Sequence, residues 1–123
     1  MVDASAIAAL LFDEAEGPQV LALIEGQRLA APALFGYELA NLCQMKCRRQ
    51  PALRAAFLAG YALRTRLDIE EYPVDHAEVL TLAEATRLTH YDASYLWLAR
   101  RLDAPLITLD KALLALTPPP ASP

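Results

Sequence analysis

Apolar and polar positions along this chain fall into blocks whose spacing switches between helical and extended. Met1-Val2 is an apolar stub that runs straight into Asp3-Ala4-Ser5. The apolar block Ala6 to Phe12 that follows is rich in good helix formers, and Ser5 or Asp3 is placed to cap it. Glu16-Gly17-Pro18 predicts a turn, with Pro18 suited to open a second short helix through Ile24 that Gly26 closes. Leu29-Ala30-Ala31 reads as extended, because the residue before Pro32 is pushed out of the α region. From Ala33 to Arg49 the period is helical, with Leu34, Tyr37, Leu42 and Met45 giving an apolar stripe and Glu38 and Asn41 sharing a polar face. Pro51 starts a helix expected to run to about Thr65, with Leu53, Phe57, Gly60, Tyr61 and Arg64 on one side. A short strand is expected within Leu67 to Val74, around Asp68-Ile69-Glu70. Asp75 caps a helix over His76 to Thr86, with Glu78 in the capping-box position.

The last third carries the most informative pattern. A polar turn delivers Asp92 to the mouth of an apolar-faced helix that Asp103-Ala104-Pro105 ends, and Leu106 to Thr108 is a strand that presents Asp110 at its carboxyl edge. Lys111 to Leu116 is a final short helix, and the proline-rich stretch Thr117 to Pro123 cannot continue it. Short strands alternating with helices imply βαβ crossovers, so the expected architecture is α/β: a small parallel sheet with helices on both faces. One domain over residues 1–116 and a tail over 117–123 account for the chain, without repeats.

At 123 residues and 55% hydrophobic content, the sequence has ample material for one core, which sets disorder aside. The apolar run Ala6 to Phe12 is broken by Asp13 and Glu14, and no Lys or Arg precedes it as a signal peptide requires. A soluble, cytoplasmic protein without a membrane contact is expected. Cys43 and Cys47, one helical turn apart, read as reduced thiols, since a zinc site lacks further Cys or His ligands. The net charge of −4 argues against phosphate binding unless cations gather on the acids. Lys46-Cys47-Arg48-Arg49, Arg64 with Arg66, and Arg100-Arg101 are the basic clusters available to hold a nucleic-acid backbone; each also suits an ordinary solvated helix end.

A parallel sheet places its strand ends on one edge, where Asp3 and Asp110 can approach each other. Asp92 at a helix start and Glu38 one turn into its helix can complete a cluster. The competing readings are an N-cap for Asp3 and a solvated polar face for Glu38 and Asn41. Packed carboxylates repel and raise each other's pKa unless cations hold them ionised, and an all-oxygen donor set suits Mg²⁺ or Mn²⁺ and not zinc. No covalent nucleophile stands out: Ser5, Ser94 and the cysteines lack a paired histidine in any recognisable arrangement. His90 flanks the turn and is read as a surface or hydrogen-bonded residue, His76 as structural. Tyr95 and Trp97 interleave with Leu96, Leu98 and Ala99, so burial of at least one competes with base stacking. Tyr37, Phe35 and Tyr61 are better placed to line a groove or dimer surface.

Four segments in order, Val2-Asp3-Ala4-Ser5-Ala6, Pro32-Ala33-Leu34 leading to Glu38-Leu39-Ala40-Asn41, Leu88-Thr89-His90-Tyr91-Asp92-Ala93 with Tyr95-Leu96, and Leu106-Ile107-Thr108-Leu109-Asp110, span nearly the whole chain. Together they resemble the PIN-domain ribonucleases, most closely the VapC-type toxins of bacterial toxin-antitoxin pairs. The resemblance implies a PIN-like α/β/α sandwich. It assigns Asp3, Glu38, Asp92 and Asp110 as catalytic, metal-binding acids and Ser5, Asn41 and Thr108 as polar supports. It further implies Mg²⁺- or Mn²⁺-dependent hydrolysis of RNA phosphodiesters, a homodimer, and a cognate antitoxin that covers the acidic groove. The sequence departs from the family pattern in two places. Only Met1 and Val2 precede Asp3, so the first strand is expected to be clipped, and Thr117-Pro118-Pro119-Pro120 stands where a further edge strand is common. Two other functions fit the same residues: a PIN-fold nuclease of RNA maturation or of DNA, and a catalytically silent PIN-fold binding module.

Overall fold

The computed structural model describes residues 1–116; the proline-rich stretch from Thr117 onward lies outside the described residues. Helices dominate: α1 (Ala4–Leu11), α2 (Gly17–Ile24), α3 (Phe35–Arg49), α4 (Arg54–Ala62), α5 (His76–Thr86), α6 (His90–Arg101) and α7 (Lys111–Leu116). Two strands, β1 (Leu29–Pro32) and β2 (Ile69–Tyr72), pair in parallel, with Leu29 opposite Ile69 and Pro32 opposite Tyr72. The sheet continues past β1 as single rungs. Val2 N–H donates to the Ala30 carbonyl at 3.0 Å, and Val2 forms a parallel bridge with Ile107 through hydrogen bonds from Asp3 N–H to Ile107 O and from Ile107 N–H to Met1 O. The short first strand expected from Met1-Val2 is therefore in place, and the strand expected over Leu106 to Thr108 is reduced to its central bridge. Every hydrogen bond in this order joins segments far apart in sequence, as βαβ crossovers require.

The core fills the space between this sheet and the helices. Val2, Ile7, Phe35, Leu39, Tyr95, Leu96, Leu98 and Leu113 are fully or almost fully buried, joined by the small residues Ala6, Ala9, Ala31 and Ala93. Phe35, Leu39 and Cys43 are the buried face of α3. The stripe Leu34, Tyr37, Leu42 and Met45 read from the sequence is displaced from that face, and Tyr37 is 85% exposed. Both sets recur at helical spacing, and what decides between them is the direction in which β1 launches α3. Phe35, expected to line a groove or dimer surface, belongs to the core. The helix expected from Pro51 to Thr65 is interrupted: a 3₁₀ turn over Pro51–Leu53 precedes α4, and another over Leu63–Leu67 follows it. At Gly60 the backbone of α4 approaches the end of α1 so closely that a Cβ would lie 2.3 Å from the Leu11 carbonyl oxygen. Among the described residues, no helix is long and apolar enough to cross a membrane.

Candidate functional site

Asp3 follows the Val2 rung and caps α1, as the Ala6 N–H donates to its Oδ1 at 3.0 Å. The capping reading and the site reading thus apply to the same carboxylate. Ser5 Oγ donates to Asp3 Oδ1 at 2.7 Å, and the Thr108 hydroxyl donates to Asp3 Oδ2. Ser5 and Thr108 themselves receive backbone N–H groups, from Leu109 at 3.1 Å and from Asp110 at 2.9 Å. The loop after Ile107 is thereby stitched to the start of α1. Asp3 is only 4% exposed. Burial raises its pKa, while the hydrogen bonds from Thr108, Ala6 and Ser5 oppose the rise and the charge of Asp110 adds to it.

The other three acids arrive from separate elements. Glu38 projects from the first turn of α3, where a carboxylate is favoured by the helix dipole. It is half-buried, and its Oε1 accepts the Tyr95 hydroxyl at 2.6 Å. Burial raises its pKa, Tyr95 opposes the rise, and the charges of Asp92 and Asp3 add to it. Asp92 is the third residue of α6, whose N-cap is Thr89; the Asp92 N–H donates to Thr89 Oγ1 at 3.1 Å. Burial again raises the pKa of Asp92, followed by the charges of Asp110 and Asp3. Asp110 Oδ1 accepts the N–H groups of Ala112 and Leu113 at the start of α7. Four carboxylates from four distant segments therefore share one electrostatic neighbourhood at the edge of the sheet.

The remaining candidates lie elsewhere. Asn41 is exposed, and its amide donates to Met45 Sδ at 3.7 Å instead of joining the acids. His90 turns toward His76, with its Nε2 2.9 Å from His76 Nδ1 and its Nδ1 buried without a hydrogen-bond partner among the described residues. Lys46 pairs with Glu14, and Arg64 with Glu71 at 3.1 Å, while Arg101 stacks over the half-buried Trp97. Arg48, Arg49, Arg66 and Arg100 remain exposed. A cavity of about 470 Å³ between α3 and α4, walled by Cys43, Cys47, Arg48, Arg54 and Tyr61, contains none of the four acids. The sequence reading left Tyr95 undecided between core and base stacking; the structure buries its ring and sets its hydroxyl on Glu38. Its position three residues after Asp92, on the same face of α6, is the signal that was available.

The donor set decides what the cluster can accept. Among the described residues, no group of three or more His, Cys, Asp or Glu side chains lies in an arrangement that could hold a metal ion by itself. The four acids offer only carboxylate oxygens, a donor set that suits a hard cation such as Mg²⁺, which keeps several waters and is held by one or two carboxylates together with a substrate phosphate. Asp3, Glu38 and Asp92, each with a raised pKa, gain from any cation that neutralises their neighbours.

The PIN domain family matches this chain over residues 1–117. Ribonuclease VapC3 of Pyrobaculum aerophilum is 36% identical, with 92% of this chain and 90% of that protein aligned. VapC ribonuclease Mb0985 of Mycobacterium bovis and Ribonuclease VapC9 of Mycobacterium tuberculosis are each 32% identical over 113 residues, covering 92% of this chain and 87% of theirs. The crystal structure of PAE2754 from Pyrobaculum aerophilum superposes with a TM-score of 0.71 at 29% identity, covering 93% of this chain and 81% of that one. With the parallel sheet, the clustered acids and this similarity along nearly its whole length, the chain belongs to the PIN-domain family.

Proposed function

We propose that the protein is a metal-dependent endoribonuclease, a toxin of the VapC type, with Asp3, Glu38, Asp92 and Asp110 as its catalytic acids. The observation that carries this reading is the convergence of the four carboxylates, three of them with raised pKa values, at one sheet edge of a chain whose relatives are ribonucleases. Asp3, Glu38, Asp92 and Asp110 would hold Mg²⁺ or Mn²⁺, which when bound would supply Lewis acidity toward the phosphate. The chain's own part is to hold that chemistry in place. Asp3 is locked by Ser5, Thr108 and the start of α1, so its carboxylate is oriented before any ligand arrives. Asp92 and Asp110 sit partly open to solvent, where a phosphodiester could reach them. Asn41, exposed one turn beyond Glu38, remains a candidate polar support in this reading. The exposed arginines Arg48, Arg49, Arg66 and Arg100 supply backbone contacts.

A cognate antitoxin would cover the acidic groove, with a basic side chain competing with the cation for the carboxylates. Leu53, Leu58 and Leu63, exposed on and around α4, support a homodimer. The test is cleavage of a mixed RNA pool by purified protein in Mn²⁺, compared with EDTA and with Asp92→Asn. Cleavage in Mn²⁺ that falls by at least ~100-fold in both controls is expected. Turnover unchanged by Asp92→Asn removes the site assignment. A folded, antitoxin-free protein that cleaves nothing is a binding module. DNA cut in preference to RNA redirects the substrate.

A further inference from the structure

Tyr95 ties two walls of the acidic site together. It lies on α6 three residues after Asp92, so the two side chains leave the same helix face. Asp92 is half-buried, whereas Tyr95 is 2% exposed, with its ring in the core. The Tyr95 hydroxyl donates to Glu38 Oε1 at 2.6 Å, across 57 residues of sequence and from one helix to another. Asp3 is also close enough to act on the phenol electrostatically.

A phenol carries a single proton, and a carboxylate oxygen can only accept, so the Tyr95 proton is committed to Glu38. Core packing does not call for this hydroxyl, because a phenylalanine ring fills the same volume without placing a polar group inside. A glutamate carboxylate, by contrast, has three rotatable bonds to fix before it can present an oxygen at a defined point. A short bond from a rigid, buried ring fixes them, and outer partners of this kind are how ligating carboxylates are oriented.

We propose that Tyr95 is a positioning residue for Glu38: its buried hydroxyl holds Oε1 from the protein side and presents Oε2 to a divalent cation in the acidic site. This rests on the reading of the four acids as a cation site. Tyr95 does not touch the cation or the RNA, and it acts only through Glu38.

The experiment is Mn²⁺ binding without RNA, followed by loss of the free-ion electron paramagnetic resonance signal, for wild type, Tyr95→Phe, Glu38→Gln and the double variant. Thermal unfolding in EDTA checks that each is folded. Tyr95→Phe is expected to weaken Mn²⁺ binding by about 10- to 100-fold. Glu38→Gln weakens it too, and adding Tyr95→Phe to Glu38→Gln changes affinity by less than about 2-fold, because the path through Glu38 is already cut. Wild-type affinity in Tyr95→Phe overturns the inference. An equal loss in both backgrounds also overturns it, since the ring would then act through packing alone. If wild type binds no Mn²⁺, or if Glu38→Gln binds as wild type does, the cation-site reading itself fails and the inference with it. Should Tyr95→Phe not fold, Glu38→Asp keeps the charge and withdraws the carboxylate from the hydroxyl; full Mn²⁺ affinity in that variant overturns the proposal.

Discussion

Asp3 Oδ1 accepts the Ser5 hydroxyl and the Ala6 N–H that opens α1, while Oδ2 accepts the Thr108 hydroxyl. The two supports are not equal in weight. Oδ1 keeps the Ala6 N–H if Ser5 is removed, but Oδ2 of this buried carboxylate depends on Thr108, which also receives the Asp110 N–H. Thr108→Val, close in shape, is therefore expected to destabilise the fold by about 1–3 kcal/mol, because it strands a buried acceptor and a backbone donor together. Ser5→Ala should cost less. Denaturant unfolding of both variants in EDTA checks the order, and a Thr108→Val protein as stable as Ser5→Ala would contradict it. The sequence singles out the four acids, Ser5 and Thr108 as candidates because they stand near element ends in a recognisable order, and the bonds from Ser5 and Thr108 to Asp3 join three of them. The Tyr95 bond to Glu38 was not legible, since no spacing rule connects residues 57 apart until α3 and α6 are placed. Asn41 was legible as a polar neighbour of Glu38, but a helix face alone does not say that its amide turns along α3 to Met45.

At the scale of elements, local signals worked where they were strong. Asp75 accepts the Glu78 N–H at 3.1 Å and opens α5 where the cap predicts, and α7 begins directly after Asp110. The face of α3 was misread because Leu34, Tyr37, Leu42 and Met45 and the true set Phe35, Leu39 and Cys43 both satisfy a helical period. Which face turns inward depends on β1 and on packing against α1, neither of which a window of sequence contains. The segment after Pro51 was read as one helix for a related reason: its apolar residues keep the period while the backbone shifts to 3₁₀ geometry at both ends. Gly60 explains how α4 is seated. Its missing Cβ lets α4 lie against the Leu11 carbonyl, and Phe57 meets Phe12 edge-on with ring centres 6.0 Å apart. The obstruction at Gly60 is backbone, which cannot rotate away. Gly60→Ala is expected to cost about 1–3 kcal/mol through overpacking, despite the better helix propensity of alanine. A stability equal to or above wild type in thermal unfolding would show that α4 is free to shift.

Across the whole molecule, the fold brings like charges to one edge and partly buries them, and this links stability to pH and to cations. Asp3 and Asp92 have pKa values above the ordinary 3.8, and Glu38 above 4.5, with burial as the first cause and the neighbouring acids adding to it. The native state thus holds these protons more tightly than the unfolded chain does. Below the ordinary values both states are protonated and the cluster costs nothing. As pH rises through the raised native values, the native state must ionise against burial and repulsion, and stability is lost. Metal-free protein should therefore gain stability from this cluster as pH falls through the raised native values toward the ordinary ones, the reverse of the usual paired carboxylate. Asp92→Asn removes one of the charges, so in EDTA it should be more stable than wild type at neutral pH, and that advantage should shrink on acidification. Mg²⁺ or Mn²⁺ competes with the same protons, so the rise in melting temperature that it gives wild type should be larger above the raised native values than near the ordinary ones and largely absent in Asp92→Asn. Melting temperatures of the two proteins, with and without the cation, across this pH range test the whole arrangement. A difference between them that is independent of pH, together with no cation effect, would mean that the four carboxylates do not act as one site.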